Sequence, residues 1–116
     1  MGSENVILEK SFRFALKIID YSELLELNKK FVIAKQILKA RTSIGANVRE
    51  AQSAESKADF VHKLKIADKE ANELEYWLQL CKMAENYPDP ILLETELLEI
   101  KKILSKIISS SKTSMK

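Results

Sequence analysis

The chain has 116 residues, 46% apolar and 31% charged, with two Gly, two Pro, one Cys and a formal net charge of +2. That length suits one domain able to bury a core without staples, and so few helix breakers among helically spaced apolar residues argue for an all-α fold. Apolar runs such as Ile91-Leu92-Leu93 are too short to span a bilayer. Met1-Gly-Ser-Glu-Asn-Val has no secretory pattern, and the lone Cys81 has no partner for a disulfide, so a cytoplasmic protein is expected.

The first helix is expected from about residue 5 to 27. It carries two apolar stripes: Leu8, Phe12, Ala15 and Ile19, and beside them Phe14, Ile18, Tyr21 and Leu25. Asn28 suits an N-cap for a second helix over about 29–52, whose apolar positions include Ile33, Ile37, Ala40, Ile44 and Ala51. Within it, Arg41-Thr-Ser-Ile-Gly-Ala-Asn-Val-Arg-Glu50 holds an interior glycine, Gly45, which costs about 1 kcal/mol against Ala. The expectation is that Gly45 permits a close backbone approach. Ser43, Asn47 and Glu50 recur at i, i+4 and i+7 on one face, marking either a buried polar network or a binding surface.

Ser56-Lys-Ala-Asp59 has the form of a capping box and opens a third helix over about 57–86. Its heptad seam is Phe60, Leu64, Ala67, Ala71, Leu74, Leu78 and Cys81. Pro88 ends that segment, while Asp89 and Pro90 suit the N-cap and first position of a fourth helix over about 90–108. The polar tail 109–116 is expected to fray. Four amphipathic helices with short links give a single-domain, antiparallel, up-down-up-down four-helix bundle.

Charge is unevenly spread along this bundle. Residues 28–55 carry six basic against two acidic side chains, giving +4, through Lys29, Lys30, Lys35, Lys39, Arg41 and Arg49. A basic helix of this kind either meets RNA or pairs with an acidic neighbour.

Catalytic chemistry finds no support. Di-iron bundles need two Glu-x-x-His motifs, and the sole histidine, His62, sits in a single Asp59-Phe-Val-His62. Cys81 reads as a small core residue on the seam. No Gly-rich phosphate loop is present, and nothing brings Ser, His and Asp together. No catalytic residue, metal or cofactor is expected. An apolar surplus is more telling: Ile66, Trp77 and Leu80 lie off the seam of the third helix. Trp77 fits either the margin of the core or, with Ile66 and Leu80, an oligomer interface, where aromatic residues are enriched, and the interface is the favoured assignment.

The blocks Thr42-Ser-Ile-Gly-Ala-Asn-Val-Arg-Glu-Ala51, Ala54-Glu-Ser56, Asp59-Phe60, His62-Lys-Leu64, Lys69-Glu-Ala71 and Glu75-Tyr-Trp-Leu78 resemble a known family. This is the bacterial four-helix-bundle family named for intervening sequences in 23S rRNA genes. The resemblance covers about residues 5–108 and implies a ring-like homopentamer with no catalysis and an assumed RNA partner. Accessory proteins of diversity-generating retroelements look similar in fold, which implies a protein-binding alternative with a reverse transcriptase or another helical partner. By position, the family motif points to Arg41, Ser43, Gly45, Asn47, Glu50, Glu70, Glu73 and Glu75 as a mainly architectural polar set. Lys29, Lys30, Lys35, Lys39 and Arg49 remain the candidates for phosphate contacts.

Overall fold

The computed structural model describes residues 3–114, with side chains described for residues 6–40 and 43–113. Among them are four helices and no strands: α1 (Ser3–Leu27), α2 (Phe31–Ala51), α3 (Lys57–Met83) and α4 (Ile91–Ser114). Each helix packs on the next and α4 closes on α1, forming a rod of 49 × 21 × 20 Å. Cross-helix ion pairs have the register that oppositely directed neighbours make, with Lys82 pairing with Glu94 and Lys101 with Glu75.

The core runs the length of the rod. Phe14, Ile18, Tyr21 and Leu25 of α1 are buried together with Ile7, whereas Phe12 of the other stripe is exposed. The bundle buries one stripe of α1 fully, while Leu8, Ala15 and Ile19 of the other are half-buried and Phe12 faces outward. On α3 the buried seam begins at Val61 rather than Phe60, which packs against the core only partly. From Leu64 to Cys81 the seam is the expected one, and every member is buried.

The helix ends show where local chemistry departed from expectation. Asn28 does not cap α2, which starts at Phe31 after Lys30 without a side-chain cap. Its Nδ2 instead donates to Leu24 O, at the end of α1. Lys29 adopts φ 62°, its N–H donates to Glu26 O, and the Lys30 N–H donates to Leu25 O. This is a Schellman closure with a lysine at the left-handed position that glycine usually occupies. The α1–α2 link therefore serves the carbonyls that α1 leaves unpaired.

Ser56 does cap α3, its Oγ accepting from the Asp59 N–H at 3.0 Å, while Asp59 Oδ2 accepts from the Glu55 N–H. α3 ends at Met83, three residues earlier than expected, because Ala84 turns extended and Asn86 takes φ 64° before Pro88. Asp89 Oδ1 accepts from the Ile91 N–H as α4 begins. The helix then continues to Ser114, so most of the tail expected to fray is helical. Ile107 and Ile108 hold it on the core, and Thr113 Oγ1 returns a hydrogen bond to Ser109 O.

Candidate nucleic-acid interface

Some cations of this bundle are ion-paired and others, such as Lys69 of α3 and Lys102 of α4, make no ion pair among the described residues. Lys10, Arg13, Lys17, Lys63, Lys82 and Lys101 each meet a carboxylate. None of them belongs to α2. Lys35, Lys39 and Arg49 are exposed on α2 and make no ion pair among the described residues. The only acid of α2, Glu50, is taken by Lys63 of α3 at 3.1 Å. An outward helical face thus keeps its positive charge unneutralised, which is the electrostatic requirement for gathering phosphates.

The loop lysines differ from one another. Lys29 is exposed in its left-handed turn. Lys30 is half-buried, with its ammonium 4.8 Å from the centre of the Tyr87 ring. That cation–π contact ties the α1–α2 link to the α3–α4 link, so Lys30 acts at least partly within the fold.

The polar set expected to form one buried network is dispersed. Asn47 Nδ2 donates to Ser43 O at 2.7 Å, a local contact one turn back along α2. Glu50 pairs with Lys63, and Glu75 with Lys101 at 2.8 Å on the α4 side. Glu70 and Glu73 share a hydrogen bond with each other, and partial burial followed by this like-charged neighbour pushes the Glu70 carboxyl above its ordinary value. Arg41 lies outside the residues whose side chains are described. Five residues separate Glu70 from Glu75, about 140° around a helix, so the two cannot face the same neighbour.

Gly45 is not a close-approach residue within the chain. A Cβ built there meets nothing within 4 Å. It lines a shallow hollow of about 220 Å³ between α1 and α2, with Phe12, Ala15, Ala46 and Arg49 around it. The small residues make a depression on the surface rather than a tight crossing inside the bundle.

A groove of about 730 Å³ lies between α2 and α3. Lys39 and Gln36 form one wall, while Lys69, Glu73, Tyr76 and Trp77 line the other. Trp77 is half-buried against the core and meets Tyr76 edge-on, with ring centroids 5.4 Å apart. Trp77 therefore sits at the core margin, Ile66 is also half-buried, and Leu80 alone of the three assigned to an interface is exposed.

A further set of exposed apolar side chains lies at the helix ends. Leu27, Val32, Met83 and Leu92 are 81%, 82%, 82% and 78% exposed, with Phe31 beside them at 60%. All five adjoin the links at residues 28–30 and 84–90, which the Lys30–Tyr87 contact brings to one end of the rod. The sequence signal was there: each is apolar but falls out of phase with the buried stripe of its own helix.

Among the described residues no helix is long and apolar enough to cross a membrane, and no group of three His, Cys, Asp or Glu side chains is arranged to hold a metal ion. What the described residues define is a four-helix bundle with a basic outer face on α2, a groove between α2 and α3 and an apolar end.

A family model described as 23S rRNA-intervening sequence protein matches residues 3–108, and the chain belongs to that family. A search of curated proteins found no match. Among solved structures, the chain is similar to a protein of unknown function from the S23 ribosomal protein family of Bacteroides thetaiotaomicron VPI-5482. The two share 46% identity at a TM-score of 0.86, over 92% of this chain and 98% of that one.

Proposed function

We propose that this protein is a non-enzymatic, self-assembling cytoplasmic module that binds RNA through the outward face of α2. The observation that carries the reading is the grouping of Lys35, Lys39 and Arg49 on one exposed face of α2, where none makes an ion pair among the described residues and the single acid of the helix, Glu50, is held by Lys63. Lys29 extends the same basic surface at the α1–α2 link. Self-assembly into a homopentamer, the state the family resemblance implies, would repeat this face around a ring and multiply its field. The exposed Phe12 and Leu16 on α1 supply apolar area for such contacts.

Binding of this kind is weakly dependent on sequence and driven by counterion release. Fluorescence anisotropy with unrelated RNAs at ~50 and ~200 mM salt tests it, and affinity should fall steeply between the two. Lys35→Glu with Lys39→Glu should weaken binding to every RNA while leaving the thermal midpoint unchanged. If the wild-type protein binds no RNA at any salt, this reading is wrong.

A second reading is favoured by one observation, the apolar end carrying Leu27, Phe31, Val32, Met83 and Leu92. On that reading the protein is a scaffold for a helical protein, such as a reverse transcriptase. Val32→Glu with Leu92→Glu would then abolish partner binding and spare RNA binding.

A further inference from the structure

We propose that the groove between α2 and α3 seats one unpaired nucleotide of a single-stranded RNA, its base against the Tyr76 ring and its phosphates on Lys39 and Lys69. The proposal rests on the RNA-binding reading above and names the form of RNA that this face selects.

The lining of the groove carries the argument. Lys69, Glu73 and Tyr76 stand at i, i+4 and i+7 on α3, so they form one stripe along the groove. Tyr76 is 56% exposed, so more than half of its surface stays open to solvent while the ring meets Trp77 edge-on. An aromatic face open to solvent beside ammonium groups is the arrangement on which unpaired bases stack while the backbone is neutralised. Lys39 and Lys69 make no ion pair among the described residues, although both lie close enough to Glu70 to favour its charged form.

The acids of the groove distinguish a nucleoside from a bare polyanion. A site for phosphate alone would carry cations only, and here Asp68, Glu70 and Glu73 stand among Lys39, Lys65 and Lys69 and would oppose it. A nucleoside also presents donors, in its ribose hydroxyls and exocyclic amino groups, and carboxylates accept from these. Gln36 and Asn72 add side-chain amides that both donate and accept. The mixture of ammonium, carboxylate, amide and aromatic groups therefore matches a nucleotide more closely than a duplex backbone. In a duplex the bases are stacked inside, and Tyr76 would have nothing to stack on.

Trp77 is the single tryptophan of the chain and lines this groove, so it serves as a built-in probe. Titrating the full-length protein with a single-stranded oligoribonucleotide should quench Trp77 emission, and the matching duplex should leave it unchanged. Tyr76→Ala should bind the single strand about tenfold more weakly, a loss in the range expected for one base–aromatic stack, and Tyr76→Phe should bind like wild type. Circular dichroism melts of both variants establish that they fold. If Tyr76→Ala binds the single strand as tightly as wild type while Lys35→Glu with Lys39→Glu still weakens binding, the groove proposal is overturned and the RNA reading stands. An equal Trp77 response to duplex and single strand also overturns it, since the groove would then sense only phosphate charge. Absence of any RNA binding by wild type overturns both.

Discussion

The Tyr21 hydroxyl donates a 2.7 Å hydrogen bond to the carbonyl oxygen of Pro88, joining the second turn from the end of α1 to the link between α3 and α4. The ring is buried in the core, and its polar tip serves a carbonyl that neither α3 nor α4 pairs. Cys81 lies against the same hydroxyl and is itself buried. Tyr21→Phe keeps the packing and removes the donor, leaving Pro88 O without that partner. The expected loss is about 1–2 kcal/mol, read from urea or thermal unfolding with helicity unchanged.

The same residue governs alkaline stability. Burial, then the hydrogen bond with Cys81, drives the Tyr21 phenol far above its ordinary value near 10. The folded state therefore holds a proton that the unfolded state releases above pH 10, so this contribution is intact below pH 10 and falls as pH rises past it. Burial also raises the Cys81 thiol above its ordinary value of 9.0, which begins the loss somewhat earlier. Unfolding midpoints measured from pH 8 upward should decline for wild type and decline less steeply for Tyr21→Phe. Parallel declines would show that Tyr21 is not the titrating group.

Lys29 holds a backbone conformation that L side chains disfavour by roughly 1–2 kcal/mol and glycine accepts freely. Lys29→Gly should therefore stabilise the bundle by about 1 kcal/mol, less the entropy that glycine returns to the unfolded chain. Calorimetry should show a rise in Tm of a few degrees. A fall would mean that the lysine side chain holds the turn.

Gly45 faces open space, so a methyl group there has room. Gly45→Ala should raise bundle stability by roughly 0.5–1 kcal/mol through helix propensity. Gly45→Leu fills the hollow beside Phe12 and should leave the fold intact while weakening self-association. Light scattering coupled to size exclusion measures the second effect and melting the first. A strongly destabilised Gly45→Ala would restore the close-approach idea.

Glu70 is raised by partial burial and by its contact with Glu73, so its protonated form is favoured in the folded state. Its contribution is present at acid pH, below the unfolded carboxyl value, and is lost as pH rises through the folded one. Glu73→Gln removes the opposing charge. It should stabilise the protein at pH 7.5 and do so less at pH 4, measured as paired melting curves.

Periodicity alone made much of this fold legible. The seam from Leu64 to Cys81 and the buried α1 stripe of Phe14, Ile18, Tyr21 and Leu25 follow from 3.6 residues per turn, because a buried face needs apolar groups at that spacing. The Ser56 cap was equally readable, since it depends on residues three apart. What one sequence could not decide were choices among equals. Both stripes of α1 were apolar enough for the core, and only the positions of α2 and α4 determined that Phe12 would face out. Asn28 suited either of two helix ends, and the left-handed turn at Lys29 committed it to α1. Gly45 and the motif around it were visible as unusual, but whether a small residue marks a tight crossing or a surface hollow depends on what stands opposite. The set from Ser43 to Glu75 divided for the same reason: shared helical phase brings residues to one face, and only the packed neighbours, Lys63 and Lys101, decide which carboxylate each flank holds.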